Sequence, residues 1–232
     1  MAASLEGRHI VVTGGTGNLG GAVLARLTAE GAICHVPVRG TDMPADTAGI
    51  RHVSGVDLTD PGAVDAFYGE IGNLWASVHL AGGFGMGGIV DADDRAMSGM
   101  FEMNALSAWL CCRAAIRAMK AAGPARGGRI VNIAARPALE PRSGAGMAAY
   151  AASKAAVAAI TQALGEELKG DGILVNAVAP SILDTPENRA AMPKADFAKW
   201  PSLESAAGLI AFLVSPDNSS TSSAVIPLYG RA

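Results

Sequence analysis

The segment Thr13-Gly14-Gly15-Thr16-Gly17-Asn18-Leu19-Gly20 lies between a β-branched run, residues 8–13, and an amphipathic stretch, residues 18–30. Each glycine gives up side-chain burial and costs chain entropy, so four of them at one strand-to-helix junction mark a place where the backbone must turn tightly or approach something closely. Gly15 to Gly20 read G-x-G-x-x-G, and the pattern has the context that gives it meaning: it follows a strand and opens a helix. There the unpaired N–H groups and the dipole of the helix favour an anion such as a diphosphate. Gly14, Gly15, Thr16, Gly17, Asn18, Leu19 and Gly20 are therefore candidate contacts to a dinucleotide, with a purely structural turn as the plainer alternative.

The rest of the chain repeats this alternation. Apolar runs at 32–38, 52–56, 75–80, 128–133, 173–179 and 224–228 read as further strands. Helical periodicity covers 61–71, 93–122, 148–169 and 202–213. The pattern predicts an α/β fold, a doubly wound parallel sheet of about seven strands with helices on both faces. With no composition break, long linker or internal repeat, residues 1–232 read as a single domain.

Composition removes several classes of function. Half of the residues are hydrophobic and 17% are charged, which excludes a disordered chain. The 18 basic and 21 acidic residues are interspersed, leaving no basic footprint for nucleic acid. Residues 71–90 are uncharged and long enough to span a bilayer, but their six glycines, with Asn73 and His79, read as strand plus loop, so no membrane segment is expected. The amino-terminal residues lack the basic-then-apolar order of a secretion signal. Cys34, Cys111 and Cys112 are odd in number, two of them adjacent in an apolar stretch, which suits a reducing cytoplasm. The four histidines fall at strands without metal-ligand spacing, so no metal is expected. Asp91, Asp93 and Asp94 suit the start of a helix.

The end of the second strand reads Pro37-Val38-Arg39. A carboxylate there would accept from a ribose 2′-hydroxyl; Val38 cannot, whereas the Arg39 guanidinium suits a 2′-phosphate. This favours NADP(H), with NAD(H) possible if Arg39 is only a solvated loop residue and Asp42 serves the ribose. Tyr150 and Lys154, four apart at the start of a helical stretch, share one face. An ammonium near the phenol would lower its pKa, as a general acid for a developing alkoxide requires.

Taken together, the glycine loop, Asp57-Leu58, Leu80-Ala81-Gly82-Gly83, Asn104, Tyr150/Lys154 and Pro180 resemble the short-chain dehydrogenase/reductase family over nearly the whole chain. The resemblance implies a Rossmann fold and hydride transfer between a nicotinamide and a carbonyl or imine-like small molecule. It implies that Asp57 and Leu58 flank the adenine, that Ala81, Gly82 and Gly83 pass the ribose, and that Asn104 holds a water of a proton relay. It makes Tyr150 the proton donor or acceptor, has Lys154 bind the nicotinamide ribose and lower the tyrosine pKa, and lets Pro180, Ser181, Leu183 and Thr185 close over the nicotinamide. It also implies a homodimer or homotetramer, with the helix that carries Trp109, Cys111 and Cys112 as a candidate interface and plain core packing as the alternative for each of these residues.

Two positions depart from the family pattern. Asn18 stands at the loop's usual second glycine, and Ala135 stands where the family has its catalytic serine. Ser143 is the candidate replacement; a solvated loop serine is the alternative reading. Within the family, residues 183–200, together with Phe84, Ala138, Leu139, Gly146 and Met147, are similar to the dihydropteridine reductases, a branch that works without the serine. Met192, Phe197 and Trp200 are candidates for lining a substrate pocket, with anchoring of the loop to the fold as the alternative. Ala135 also motivates a second expectation, a nucleotide-binding sensor or scaffold with weakened chemistry.

Overall fold

The computed structural model describes residues 5–123 and 127–231. Short Ile- and Val-rich runs form the strands β1 (His9–Thr13), β2 (Ile33–Pro37), β3 (Ile50–Val53), β4 (Leu74–His79), β5 (Gly128–Ile133), β6 (Ile173–Pro180) and β7 (Val225–Leu228). They make one seven-stranded sheet in the order β3-β2-β1-β4-β5-β6-β7, with every neighbouring pair parallel. The helices are α1 (Asn18–Ala29), α2 (Pro61–Gly69), α3 (Ala96–Met100), α4 (Ser107–Ala121), α5 (Arg136–Leu139), α6 (Ala148–Glu167), α7 (Pro186–Ala191) and α8 (Leu203–Val214). This is the expected single-domain α/β Rossmann fold.

Period-two alternation sends the residues of β1 to both faces of the sheet. Ile10 and Val12 join a core with Val23, Leu24 and Leu27 of α1 and Ile210, Leu213 and Val214 of α8. Val11 joins a core on the other face, with Val64 and Phe67 of α2, Leu110 and Met119 of α4, and Leu164 of α6. Strands buried on both sides need near-continuous apolar runs, which is what made them readable. The strand order reverses between β1 and β4. In open α/β sheets ligands bind beyond the strands' carboxyl ends at such a reversal.

Three elements differ from expectation. The third strand lies at Ile50–Val53, not 52–56: these residues register with Cys34–Pro37, and beyond them Gly55 turns the chain at φ +74°. The long helix begins at Ala96, not at residue 93, because Asp93 closes a turn in which its carboxylate accepts from the Arg95 N–H (2.6 Å). That helix also widens into a π-helical turn, Phe101–Leu106, between α3 and α4. Residues 71–90 do form β4 and a loop, and no described helix is long and apolar enough to cross a membrane.

A buried polar chain ties the sheet to α2 and α6. Asn132 donates through Nδ2 to the Thr161 hydroxyl (2.9 Å), so its Oδ1 accepts from His79 Nδ1 (2.7 Å). His79 Nε2 then accepts from the Ser77 hydroxyl (2.8 Å), which also meets the Tyr68 hydroxyl (2.8 Å). Burial holds the His79 pKa down to about 4, against an ordinary 6.5. An unfolded chain takes up a proton on this residue as the pH drops through 6.5, whereas the folded chain does so only near 4. Stability is therefore full above 6.5 and falls toward 4, by about 3 kcal/mol from this group. In urea unfolding at a series of pH values, His79→Gln is expected to take about one proton from the slope in that window.

Candidate active site

The glycine loop is shaped by what surrounds it. Gly14 has φ +67°, and a Cβ there would lie 2.7 Å from Ala81 N, at the end of β4. A Cβ on Gly20 would strike the Gly14 carbonyl oxygen. Gly17 is different: a Cβ on it would meet only the Gly14 oxygen, in ordinary contact at 3.5 Å, so the fold leaves that side open. Gly17 is also the N-cap of α1 and supplies no side-chain hydrogen bond. The result is a twelve-residue helix with an uncapped N-terminus facing outward, which fits a diphosphate.

Ala81, Gly82 and Gly83 run beside this loop. Ala81 N donates to the Thr13 hydroxyl (3.2 Å), and Gly83 is clamped by Asn104, which accepts from its N–H (3.0 Å) and donates to its carbonyl (3.1 Å). Asn104 sits in the π-helical turn, a distortion often found at functional sites. Its Nδ2 also reaches the Ser153 hydroxyl (3.0 Å), which donates to the Tyr150 carbonyl (2.8 Å). The Asn104 side chain thus joins the β4 loop to the first turns of α6. Sequence reasoning missed Ser153, since nothing in its own position marks it as the link.

On α6, Lys154 is buried, and its ammonium donates to the Ile133 carbonyl at the end of β5 (2.8 Å). A Cβ on Gly82 would lie 3.4 Å from Lys154 Nζ and 2.5 Å from Asn104 Oδ1, so Lys154, Asn104 and the β4 loop meet at one point. Burial draws the Lys154 pKa down to about 8. The same cause pushes the Tyr150 phenol up to about 12. This corrects the expectation that the ammonium lowers the phenol's pKa: Lys154 directs its hydrogen bond to Ile133, and desolvation prevails at Tyr150. The phenol therefore keeps its proton at neutral pH.

The remaining candidates fall along the same edge. The Arg39 guanidinium pairs with Asp57 (3.2 Å), whose other oxygen accepts from the N–H and hydroxyl of Thr59 (2.9 and 2.7 Å). Arg39 remains 83% exposed, so this ion pair contributes little stability and leaves the guanidinium available. Leu58 packs partly onto the core. Pro180 ends β6; Ser181 donates to the Tyr229 carbonyl (3.1 Å), and the Thr185 hydroxyl caps α7 by accepting from Asn188 N (3.2 Å). The Leu183 carbonyl accepts from Asn188 Nδ2 (2.8 Å). These side chains and carbonyls set the shape of the loop. Ala135 is buried at the N-cap of α5 and offers no hydroxyl. Ser143 does not replace it: it is exposed and donates to the Glu140 carbonyl within its own turn (2.8 Å). Cys111 and Cys112 are buried within the subunit, which leaves Trp109 as the exposed member of that group. Trp200 is buried and Phe197 packs against it, with ring centres 5.0 Å apart, anchoring the loop after α7.

The unexpected contact is made by Asn18. Its Nδ2 donates to the Glu187 carboxylate at the start of α7 (2.7 Å), bridging the glycine loop and the loop after β6. That carboxylate stands beside the helix end suited to a diphosphate. Glu187→Gln, which removes the like charge, is expected to tighten dinucleotide binding about 3-fold at low salt and less at high salt, by equilibrium titration. Weaker binding would show that the contact assists the cofactor.

Residues 8–196 match the family described as short chain dehydrogenase. The chain is 30% identical to sorbitol dehydrogenase of Cereibacter sphaeroides over 190 residues, covering 78% of this chain and 72% of that protein. It is 32% identical to the 2-dehydro-3-deoxy-L-rhamnonate dehydrogenase (NAD(+)) of Sphingomonas sp. (strain SKA58) over 196 residues, covering 80% and 76%. The solved structure of a short-chain type dehydrogenase/reductase from Mycobacterium ulcerans superposes with a TM-score of 0.86 at 26% identity, covering 98% of this chain and 90% of that one. None of these three is a dihydropteridine reductase, so the likeness to that branch remains a reading of residues 183–200 and the positions named with them. The fold, the glycine loop and the Tyr150/Lys154 helix agree with the match to residues 8–196: the chain belongs to the short-chain dehydrogenase/reductase family.

Proposed function

We propose that this protein is an NAD(P)(H)-dependent oxidoreductase acting on a carbonyl or imine-like small molecule, with Tyr150 as the general acid. The observation that carries the reading is the pinning of α6 at the cleft: Ser153 is held by Asn104, and Lys154 by the Ile133 carbonyl. Tyr150 and Lys154 are thereby fixed beside the loop after β4, which runs next to the glycine loop that opens the uncapped helix. A bound nicotinamide would supply or accept the hydride. The phenol holds its proton at neutral pH, and a developing alkoxide, more basic than a phenolate, can take it up. The ammonium carries three donors, of which Ile133 takes one, leaving donors for a ribose hydroxyl.

Arg39 supports NADP(H). The NAD(+) in the name of the rhamnonate relative keeps NAD(H) as the other choice. Arg39→Ala is expected to weaken NADPH binding about 10-fold and leave NADH within about 2-fold, since only the former offers a phosphate to the guanidinium. Equal loss for both would remove Arg39 from cofactor selection. The segment 183–200 makes a quinonoid dihydropteridine the first substrate to try, alongside simple ketones, with cofactor oxidation as the readout.

The exposed Leu106 and Trp109 on the long helix support a homodimer or homotetramer. Three free, buried cysteines suit a reducing cytoplasm. The buried Ala135 favours one alternative, a sensor or scaffold that binds the nucleotide without efficient turnover. Dinucleotide binding without cofactor oxidation across the substrate panel would support it.

A further inference from the structure

The resemblance implies a serine hydroxyl beside the tyrosine, and among the described residues neither Ala135 nor Ser143 supplies it. Ala135 is buried, and Ser143 is turned into its own loop. A carbonyl held only by the Tyr150 hydroxyl could swing about that bond, so its orientation must come from packing. The structure provides a surface for this. The Phe84 ring stands edge-on to the Tyr150 ring, with centres 5.0 Å apart and planes at 74°. Phe84 is nonetheless 62% exposed, so most of the ring is uncovered beside the proton donor.

The position of Phe84 is fixed from both sides. A Cβ on Gly83 would lie 2.9 Å from Met103 Sδ, and one on Gly85 would lie 3.3 Å from Met100 Sδ, so both flanking residues press onto the long helix. Two residues further on, Gly87 N donates to the Gly146 carbonyl (2.7 Å), just ahead of α6. The loop is thus tied to the elements that carry Asn104 and Tyr150. Exposed Met86 adjoins Gly146 and extends the apolar surface. Uncovered apolar side chains gathered at one place mark a binding surface more often than chance.

We infer that Phe84 is a specificity-determining residue, and that the substrate is a flat, conjugated carbonyl compound whose ring packs against Phe84 while its oxygen meets Tyr150. This rests on the oxidoreductase reading above. Aromatic rings gain from edge-to-face or offset contact in a way a puckered saturated ring cannot match. A flat substrate would be oriented by that contact in place of the missing hydroxyl.

The test compares acetophenone with cyclohexyl methyl ketone, which carry the same acetyl group on a flat and a puckered ring. Their dissociation constants are measured by ligand-observed NMR on the protein saturated with oxidised dinucleotide, so that no turnover is needed. The wild-type protein is expected to bind acetophenone about 5-fold more tightly, Phe84→Ala to lose that preference, and Phe84→Trp to keep it. Where a ketone is turned over with reduced cofactor, Phe84→Ala should raise KM for acetophenone and also lower kcat, since the ring that orients the carbonyl is lost. Equal binding of the two ketones by the wild-type protein, no binding of either, or an unchanged preference in Phe84→Ala would overturn the inference. Failure of the oxidoreductase reading appears separately, as dinucleotide binding with no cofactor oxidation by the wild-type protein across the substrate panel.

Discussion

Replacing Tyr150 by phenylalanine is expected to lower kcat about 1000-fold while leaving the dinucleotide dissociation constant within about 3-fold. In the proposed reaction the phenol brings the hydroxyl to the carbonyl; among the described residues Ala135 supplies none and Ser143 is turned away. In a site with a second donor, loss of the tyrosine leaves partial support for the developing alkoxide. Here the loss removes both the proton and the hydrogen bond to the oxygen. The ring itself does structural work against Phe84, and phenylalanine preserves that edge-to-face contact. Binding and folding should therefore be spared, which separates the chemical role from a packing role. Steady-state kinetics on a verified substrate, with a parallel cofactor titration, make the comparison. A mutant that keeps the wild-type rate would show that another group delivers the proton.

The second large effect concerns the loop rather than the chemistry. Gly20→Ala is expected to destabilise the fold by about 3 kcal/mol, because the new methyl would strike the Gly14 carbonyl and lie 2.6 Å from Gly15 Cα. Neither partner can retreat. Gly14 already abuts Ala81 N, and a Cβ on Gly15 would lie 2.8 Å from Val36 Cγ1, so the loop is trapped between β4 and β2. For a chain of this size the change corresponds to a fall in Tm of about 10 °C. The neighbouring Gly21→Ala serves as the control. It has open space around its Cβ and lies inside α1, so it should gain roughly 1 kcal/mol from helix propensity. Thermal unfolding of both variants checks the pair, and a Gly20→Ala protein as stable as the wild type would mean that the loop is not confined as described.

Much of the architecture was legible because buried parallel strands leave an unmistakable mark. β5 was placed to the residue, at Gly128–Ile133, since its apolar run is bounded by a glycine and by the end of sheet pairing. β3 was misplaced by two residues at its start and three at its end because it is an edge strand, half exposed, whose bounds are set by register with β2 rather than by its own hydrophobicity. The π-helical turn at Asn104 carries no periodicity of its own, and the short helices α5 and α7 depend on local proline and capping geometry.

Within the site, motif residues were readable one at a time, but their couplings were not. The sequence placed Tyr150 and Lys154 on one face and from that suggested a lowered phenol pKa; the Ile133 carbonyl and the desolvation that reverse this come from tertiary packing. Asn18 stood out as a departure from the glycine pattern, yet its partner Glu187 lies 169 residues away and had no signal of its own.

The measurement that bears most directly on the whole account is a fluorescence titration of the purified protein with NADPH and, separately, NADH. The account predicts saturable binding of at least one of them, tighter for NADPH if Arg39 meets the 2′-phosphate, and shared tightening in Glu187→Gln. Binding of neither dinucleotide would contradict the assignment of the uncapped α1 terminus as a diphosphate site, and with it the role given to Tyr150.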